Sequence, residues 1–138
     1  GRPFDFRQLA GKWILLTAGG GECTGGCPDA LLQMRQQRLM TGKDSERVER
    51  VWLIIDNAPL STLLMREYEG TYFVRAPADA VREWMVNGPE LNGVVALVDP
   101  VGNLMLRWPR DPDPRRVKAD LARLLTASSH WIRMEKTQ

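Results

Sequence analysis

A chain of 138 residues with a formal net charge of +2 is long enough for one domain with a real core. Its charge is too nearly balanced for a nucleic-acid-binding surface. With 43% hydrophobic and 26% charged residues it has the make-up of a globular protein, and no apolar run approaches the ~20 residues needed to span a bilayer.

No signal-peptide pattern opens the chain, and Gly1-Arg2-Pro3 leads almost at once into a patterned segment. Residues 1–138 are therefore expected to form a single trimmed or mature domain of a longer protein. "RQQR" (Arg35 to Arg38) and Arg115-Arg116 read as solvated helix faces. The two cysteines are too few for a disulfide scaffold or a four-cysteine zinc site.

In chain order, "WILLTA" (Trp13 to Ala18) is an apolar run of buried-strand length ended by three glycines. After a glycine-rich loop, Pro28 suits a first helical position. Leu31, Leu32, Arg35 and Leu39 follow on helical spacing, with Gly42 as the stop. "VERVWLIID" (Val48 to Asp56) is a second buried strand, and Asn57-Ala58-Pro59 turns the chain. Leu60, Leu63, Leu64 and Tyr68 then lie on one helical face before Gly70. "TYFVRA" (Thr71 to Ala76) reads equally as a short strand or an extended connection.

Pro77 opens a short helix with Val81, Trp84 and Met85 on one side. "GVVALVD" (Gly93 to Asp99) and "NLMLRW" (Asn103 to Trp108) are strands joined by a hairpin-length turn. Asp113-Pro114 is a cap followed by proline, and Val117, Leu121, Leu124 and Leu125 carry the last helix. The early strand–helix–strand unit implies a parallel pair with a right-handed crossover. The late hairpin adds antiparallel strands. An α/β domain with a central mixed β-sheet flanked by helices follows, in the order of a thioredoxin-like fold.

The chemistry concentrates in "GGGECTGGCPD", Gly19 to Asp29, which holds both cysteines. Cys27 immediately precedes Pro28 and so sits at or beside a helix N-cap, where unpaired N–H groups and the helix dipole favour a thiolate. Thiolates attack disulfides and bind soft metals. Glu22 and Asp29 oppose this, so only a modest lowering of the Cys27 pKa is expected. The glycines let the backbone turn sharply and bring both sulfurs together. The loop leaves the carboxyl end of the first strand and Asp56 leaves the same end of the second, the edge where α/β sheets gather their chemistry. Against this stands the reading of both cysteines as small inert fillers. A phosphate loop is a worse match, since no Gly-Lys-Ser/Thr precedes the helix.

"GKWILLTAGGGECTGGCPDALLQM" (Gly11 to Met34) resembles the Sco/SenC family of cytochrome oxidase assembly proteins, with its strand, Cys-x-x-x-Cys-Pro and helix. "LIID" (Leu53 to Asp56) and "LVDPVGNL" (Leu97 to Leu104) are similar to the family's second strand and its Pro-x-Gly hairpin. The resemblance implies a thioredoxin-like domain on the periplasmic side of the bacterial inner membrane, anchored by a segment outside this chain. It also implies that Cys23 and Cys27 bind copper or cycle between dithiol and disulfide. The implied client is the copper centre of cytochrome c oxidase subunit II, or another thiol- or copper-handling protein. The family's histidine ligand is missing. Its stretch reads "GPELNG" (Gly88 to Gly93), with Leu91 or a neighbour in its place.

The chain's histidine, His130, falls about 17 residues into the last helix, roughly 25 Å along its axis, and reads as a terminal-helix residue. Two thiolates alone suit Cu(I) and hold Cu(II) poorly. Glu90 or Asn92 offers a weak oxygen ligand, though both read first as ordinary loop residues. The six methionines (Met34, Met40, Met65, Met85, Met105, Met134) are scattered as core packing would place them. The favoured expectation is a thiol–disulfide redox protein with Cys23 and Cys27 as its catalytic pair and no required cofactor. A Cu(I) metallochaperone using the same two sulfurs comes second, and an assembly factor with a structural disulfide third.

Overall fold

The computed structural model describes residues 9–85 and 91–129. Strand β1 (Trp13–Gly19) is buried along its whole length, as an apolar run covered on both faces must be. It pairs in parallel with β2 (Val48–Ile54), and β2 pairs in parallel with β3 (Thr71–Arg75). On its other side β1 pairs antiparallel with β4 (Val95–Val98), which pairs antiparallel with β5 (Leu104–Trp108). The sheet order is β3-β2-β1-β4-β5, the expected mixed sheet. The ambiguous "TYFVRA" segment supplies the strand β3.

Among the described residues the α-helices are α1 (Cys27–Met40), α2 (Thr62–Glu67), α3 (Ala78–Met85) and α4 (Pro114–Ala127), with a 3-10 turn at Gly42–Arg47 between α1 and β2. Alternation along the strands splits the core into two layers. Trp13, Leu15, Val48, Trp52 and Ile54 face Leu31 and Met34 of α1 and Val117, Leu121 and Leu125 of α4. Ile14, Leu16, Val51 and Leu53 face Val81 and Met85 of α3. Each fully buried aliphatic side chain contributes roughly 1.5–3 kcal/mol.

Two helical faces differ from the spacing read in the sequence. In α1 the buried face is Cys27, Ala30, Leu31, Met34 and Gln37, and Leu39 is 67% exposed. A stripe counted from Cys27 at steps of three and four residues passes Leu39 by. In α2, Leu64 and Tyr68 turn inward, and Leu63, a further 100° around the helix, is 77% exposed. The cap of α4 is as expected: Asp113 Oδ1 accepts the Arg115 N–H at 3.0 Å, with Pro114 in the first turn.

The register positions the site. Gly19 lies opposite Ile54, and the Ile55 N–H donates to the Gly19 carbonyl at 3.1 Å, so β1 and β2 end at one edge. Thr17 lies opposite Val95, so β4 starts at that same edge. The connections that meet at this edge are the cysteine loop after β1, residues 55–61 after β2, residues 76–77 after β3, residues 91–94 before β4 and residues 109–113 after β5.

Candidate active site

Cys23 and Cys27 form a disulfide, with sulfurs 2.10 Å and Cα atoms 5.0 Å apart. The loop between them is wound tightly. The Cys23 N–H donates to the Gly20 carbonyl at 3.0 Å, and the Cys27 N–H to the Thr24 carbonyl at 3.2 Å. Cys23 itself sits at φ 54, left-handed backbone that a side chain occupies at some cost. Cys27 is the first residue of α1, and Gly26 is the N-cap, which brings no side chain to the capping position. The thiol pair thus stands at a helix N-terminus on the carboxyl edge of the parallel strands, where the sequence placed it.

Both half-cystines are less open than a glycine-rich loop suggests. Cys27 is 2% exposed and Cys23 9%, and both join the core layer beneath α1. The loop is folded inward by side chains from the loops beside the two strands that flank β1. Asp56, past β2, accepts the Gly21 N–H at 3.0 Å and the Ala58 N–H at 3.1 Å through Oδ1. Those two bonds are the main reason its carboxyl is held below its ordinary value; the nearby Arg75 adds to the effect. Arg75 also ties down this turn through the Asp56 and Ala58 carbonyls. From the β4 side, Asn92 Oδ1 accepts the Gly26 N–H, and its Nδ2 donates to the Thr24 carbonyl at 3.1 Å.

Glycine is required where these groups close in. A Cβ on Gly26 would lie 2.7 Å from Gly93 Cα and 3.1 Å from Arg110 Nε. Gly25 is at φ +62, and a Cβ there would lie 2.7 Å from Asn92 Oδ1. Beside the loop, a cleft of about 230 Å³ runs from Gly26 and Gly93 past Asp29 and Gln33 to Asp111 and Pro114.

Of the residues the sequence singled out, Cys23, Cys27, Asp56 and Asn92 are brought together. Asn92 is no free oxygen donor, because its oxygen is engaged by Gly26. Leu91 is 5% exposed and packs into the core beneath α3. Glu90, His130 and Met134 lie outside the described residues. Met34 and Met85 are fully buried, whereas Met40 and Met105 are 44% and 40% exposed, so two of the expected core methionines are surface residues. Among the described residues no group of three or more His, Cys, Asp or Glu side chains is placed to hold a metal ion. Nor is any helix there long and apolar enough to cross a membrane. Gly93 reads in the sequence as the first residue of a strand, yet β4 begins at Val95 and Gly93 sits in the turn before it at φ +85; nothing local marks it or Arg110 as the neighbour of a loop so distant in the chain.

Residues 13–128 match the family described as "Transmembrane-like, thioredoxin-like, C-terminal domain". The chain belongs to this family. No curated protein matches it by sequence. Among solved structures, this thioredoxin-like domain is similar to yeast Sco1 with copper bound, at TM-score 0.70 and 18% identity over 89% of this chain and 84% of that one. It is also similar to Arabidopsis thaliana ScoI with copper bound, at TM-score 0.66 and 16% identity over 88% of each chain. A thiol-disulfide isomerase from Corynebacterium glutamicum matches at TM-score 0.61 and 15% identity, covering 91% of this chain and 88% of that one. These likenesses establish the thioredoxin-like fold and place Sco proteins among its structural neighbours.

Proposed function

We propose that this domain is a thiol–disulfide redox protein that assists maturation of the copper centre in cytochrome c oxidase assembly. It would work on the periplasmic side of the bacterial inner membrane, held there by a segment outside this chain. Its client would be oxidase subunit II or another thiol- or copper-handling protein. The observation that carries the reading is a closed Cys23–Cys27 disulfide at the first turn of α1. The likeness to Sco proteins and to a thiol-disulfide isomerase supports it.

In the working direction the reduced pair meets a client disulfide. Cys23, the less buried of the two, attacks one client sulfur as a thiolate, and the other client sulfur leaves. Cys27 then displaces the client from the mixed disulfide. The products are the Cys23–Cys27 disulfide and a client dithiol, which has gained two electrons and two protons. An upstream dithiol donor resets the pair by the same exchange.

The test is thiol content in glutathione buffers over a range of potentials. An intramolecular disulfide is expected to form, and Cys27→Ser is expected to trap glutathione on Cys23. A pair that never closes would sink the reading.

Two neighbours solved with copper bound favour a second reading, a Cu(I) metallochaperone. Once reduced, Cys23 and Cys27 supply two soft sulfurs that fit Cu(I). With Asn92 engaged by Gly26, the described residues supply no third ligand for Cu(II). Anaerobic titration with Cu(I) against a competing chelator should then give one ion per reduced chain, abolished in Cys27→Ala. The burial of both half-cystines favours a third reading, a structural bridge. An unchanged oxidase level in a double cysteine variant would select it.

A further inference from the structure

We infer that Asn92 is a positioning residue for the cysteine pair, its amide bracketing the three residues between the sulfurs and holding them in the closed shape. The inference rests on the redox reading above. Asn92 lies 66 residues from Gly26 in the chain, yet both ends of its amide engage the loop. Its oxygen accepts the Gly26 N–H, and its nitrogen donates to the Thr24 carbonyl at 3.1 Å.

Each bond meets a specific need. Gly26 is the N-cap of α1 and brings no side chain to the first turn, where N–H groups have no partner within the helix. Asn92 satisfies the N–H of the N-cap residue itself from another loop. The Thr24 carbonyl already accepts the Cys27 N–H at 3.2 Å, so the second bond pins the carbonyl that shapes the turn into Cys27. A side-chain amide both accepts and donates, whereas a carboxylate only accepts.

The surroundings are shaped to the same end. No side chain fits at Gly25 or Gly26, where a Cβ would stand 2.7 and 2.9 Å from the Asn92 oxygen. Gly93, at φ +85, lets the Asn92 loop approach Gly26. The bracket therefore depends on three glycines as well as on Asn92.

The bracket acts on the redox equilibrium because it acts unequally on the two forms. In the disulfide form the covalent bond already restrains residues 23–27. In the dithiol form Gly25 and Gly26 are the freest residues a loop can contain, so the two Asn92 bonds must order them first and are worth less there than in the disulfide form. Without Asn92 the disulfide form loses more than the dithiol form, and closure becomes less favourable.

The reaction to follow is protein dithiol plus oxidised glutathione giving protein disulfide plus two reduced glutathiones. Its equilibrium constant is expected to fall about tenfold in Asn92→Ala, the worth of one or two net hydrogen bonds. For this two-electron couple that is a rise of about 30 mV in reduction potential. Asn92→Asp keeps the size and the acceptor but loses the donor to Thr24, and is expected to shift the constant the same way. A constant unchanged in both variants, with oxidised and reduced proteins losing equal thermal stability, would show a merely structural residue and overturn the inference.

Hydrogen exchange at the Gly26 amide of the oxidised protein gives a readout that needs no redox activity. Protection is expected to be lost in Asn92→Ala, and retained protection overturns the bracket. Failure of the wild-type pair to close against glutathione would overturn the redox reading instead, leaving Gly26 exchange to decide whether Asn92 holds the loop.

Discussion

Asp56 and Asn92 reach the cysteine loop from the loops beside the two strands that flank β1, and they hold it by different chemistry. Asn92 is neutral at every accessible pH. Asp56 is charged, and the Gly21 and Ala58 N–H groups favour that charged form. A carboxyl whose folded pKa lies below its unfolded value near 3.8 contributes stability that is fully present above the unfolded value. That contribution is lost as the pH falls through the folded value. Thermal midpoints of wild type and Asp56→Asn should therefore converge as the pH is lowered from 5 to below 3. A constant gap across that range would show that the charge of Asp56 does not matter to the loop. The place of Asp56 at a strand end was legible in the sequence, since an apolar run that stops at an aspartate is a local pattern. Its hydrogen bond to Gly21 was not, because that contact exists only once β1 and β2 pair in register.

Elements were legible where their signals are local. Capping at Asp113-Pro114, the glycine stops and the apolar runs each depend on a few adjacent residues. Which way a helix face points depends on its neighbours, and Leu39 and Leu63 were misassigned for that reason. Arg50 is a sharper case. It lies within β2, is 6% exposed, and donates through Nη2 to the Glu69 carbonyl at 2.8 Å. Its Nε and Nη1 are buried without a hydrogen-bond partner. Burial first, then the like charges of Arg38 and Arg35, pull its guanidinium below its ordinary pKa. A buried cation satisfied this incompletely is a net cost. Arg50→Met, which fills similar space without charge, is expected to stabilise the domain by about 1 kcal/mol. Denaturant unfolding checks this, and a loss of stability would mean that Arg50 is holding the turn at Glu69 more firmly than its burial opposes.

For the whole molecule, the question is how far the fold relies on the disulfide. Cys23 and Cys27 are only 4 apart in sequence, so the bond closes a small loop. By the chain-entropy estimate it is worth ~2 kcal/mol, much less than two layers of buried aliphatic and aromatic side chains. The reduced domain should stay folded, with a thermal midpoint lower by roughly 4–8 °C and its near-ultraviolet circular dichroism retained. Loss of cooperative unfolding on reduction would instead mark the bond as the structural staple of the third reading.

The mixed sheet, the order of its other strands and helices and the edge at which the cysteines stand were determined by the sequence alone, whereas the strand β3 at Thr71–Arg75 was left open until its pairing with β2 decided it. Apolar runs, proline and glycine punctuation and a helix start at a proline are properties of neighbouring residues. Only the tertiary structure decided that the sulfurs are bonded and mostly buried, and that Asn92 spends its amide on Gly26 and Thr24. Those outcomes rest on hydrogen bonds between loops 66 residues apart. They form only when the pairing of β1 with β4 and the approach of Gly93 to Gly26 bring the two loops into contact.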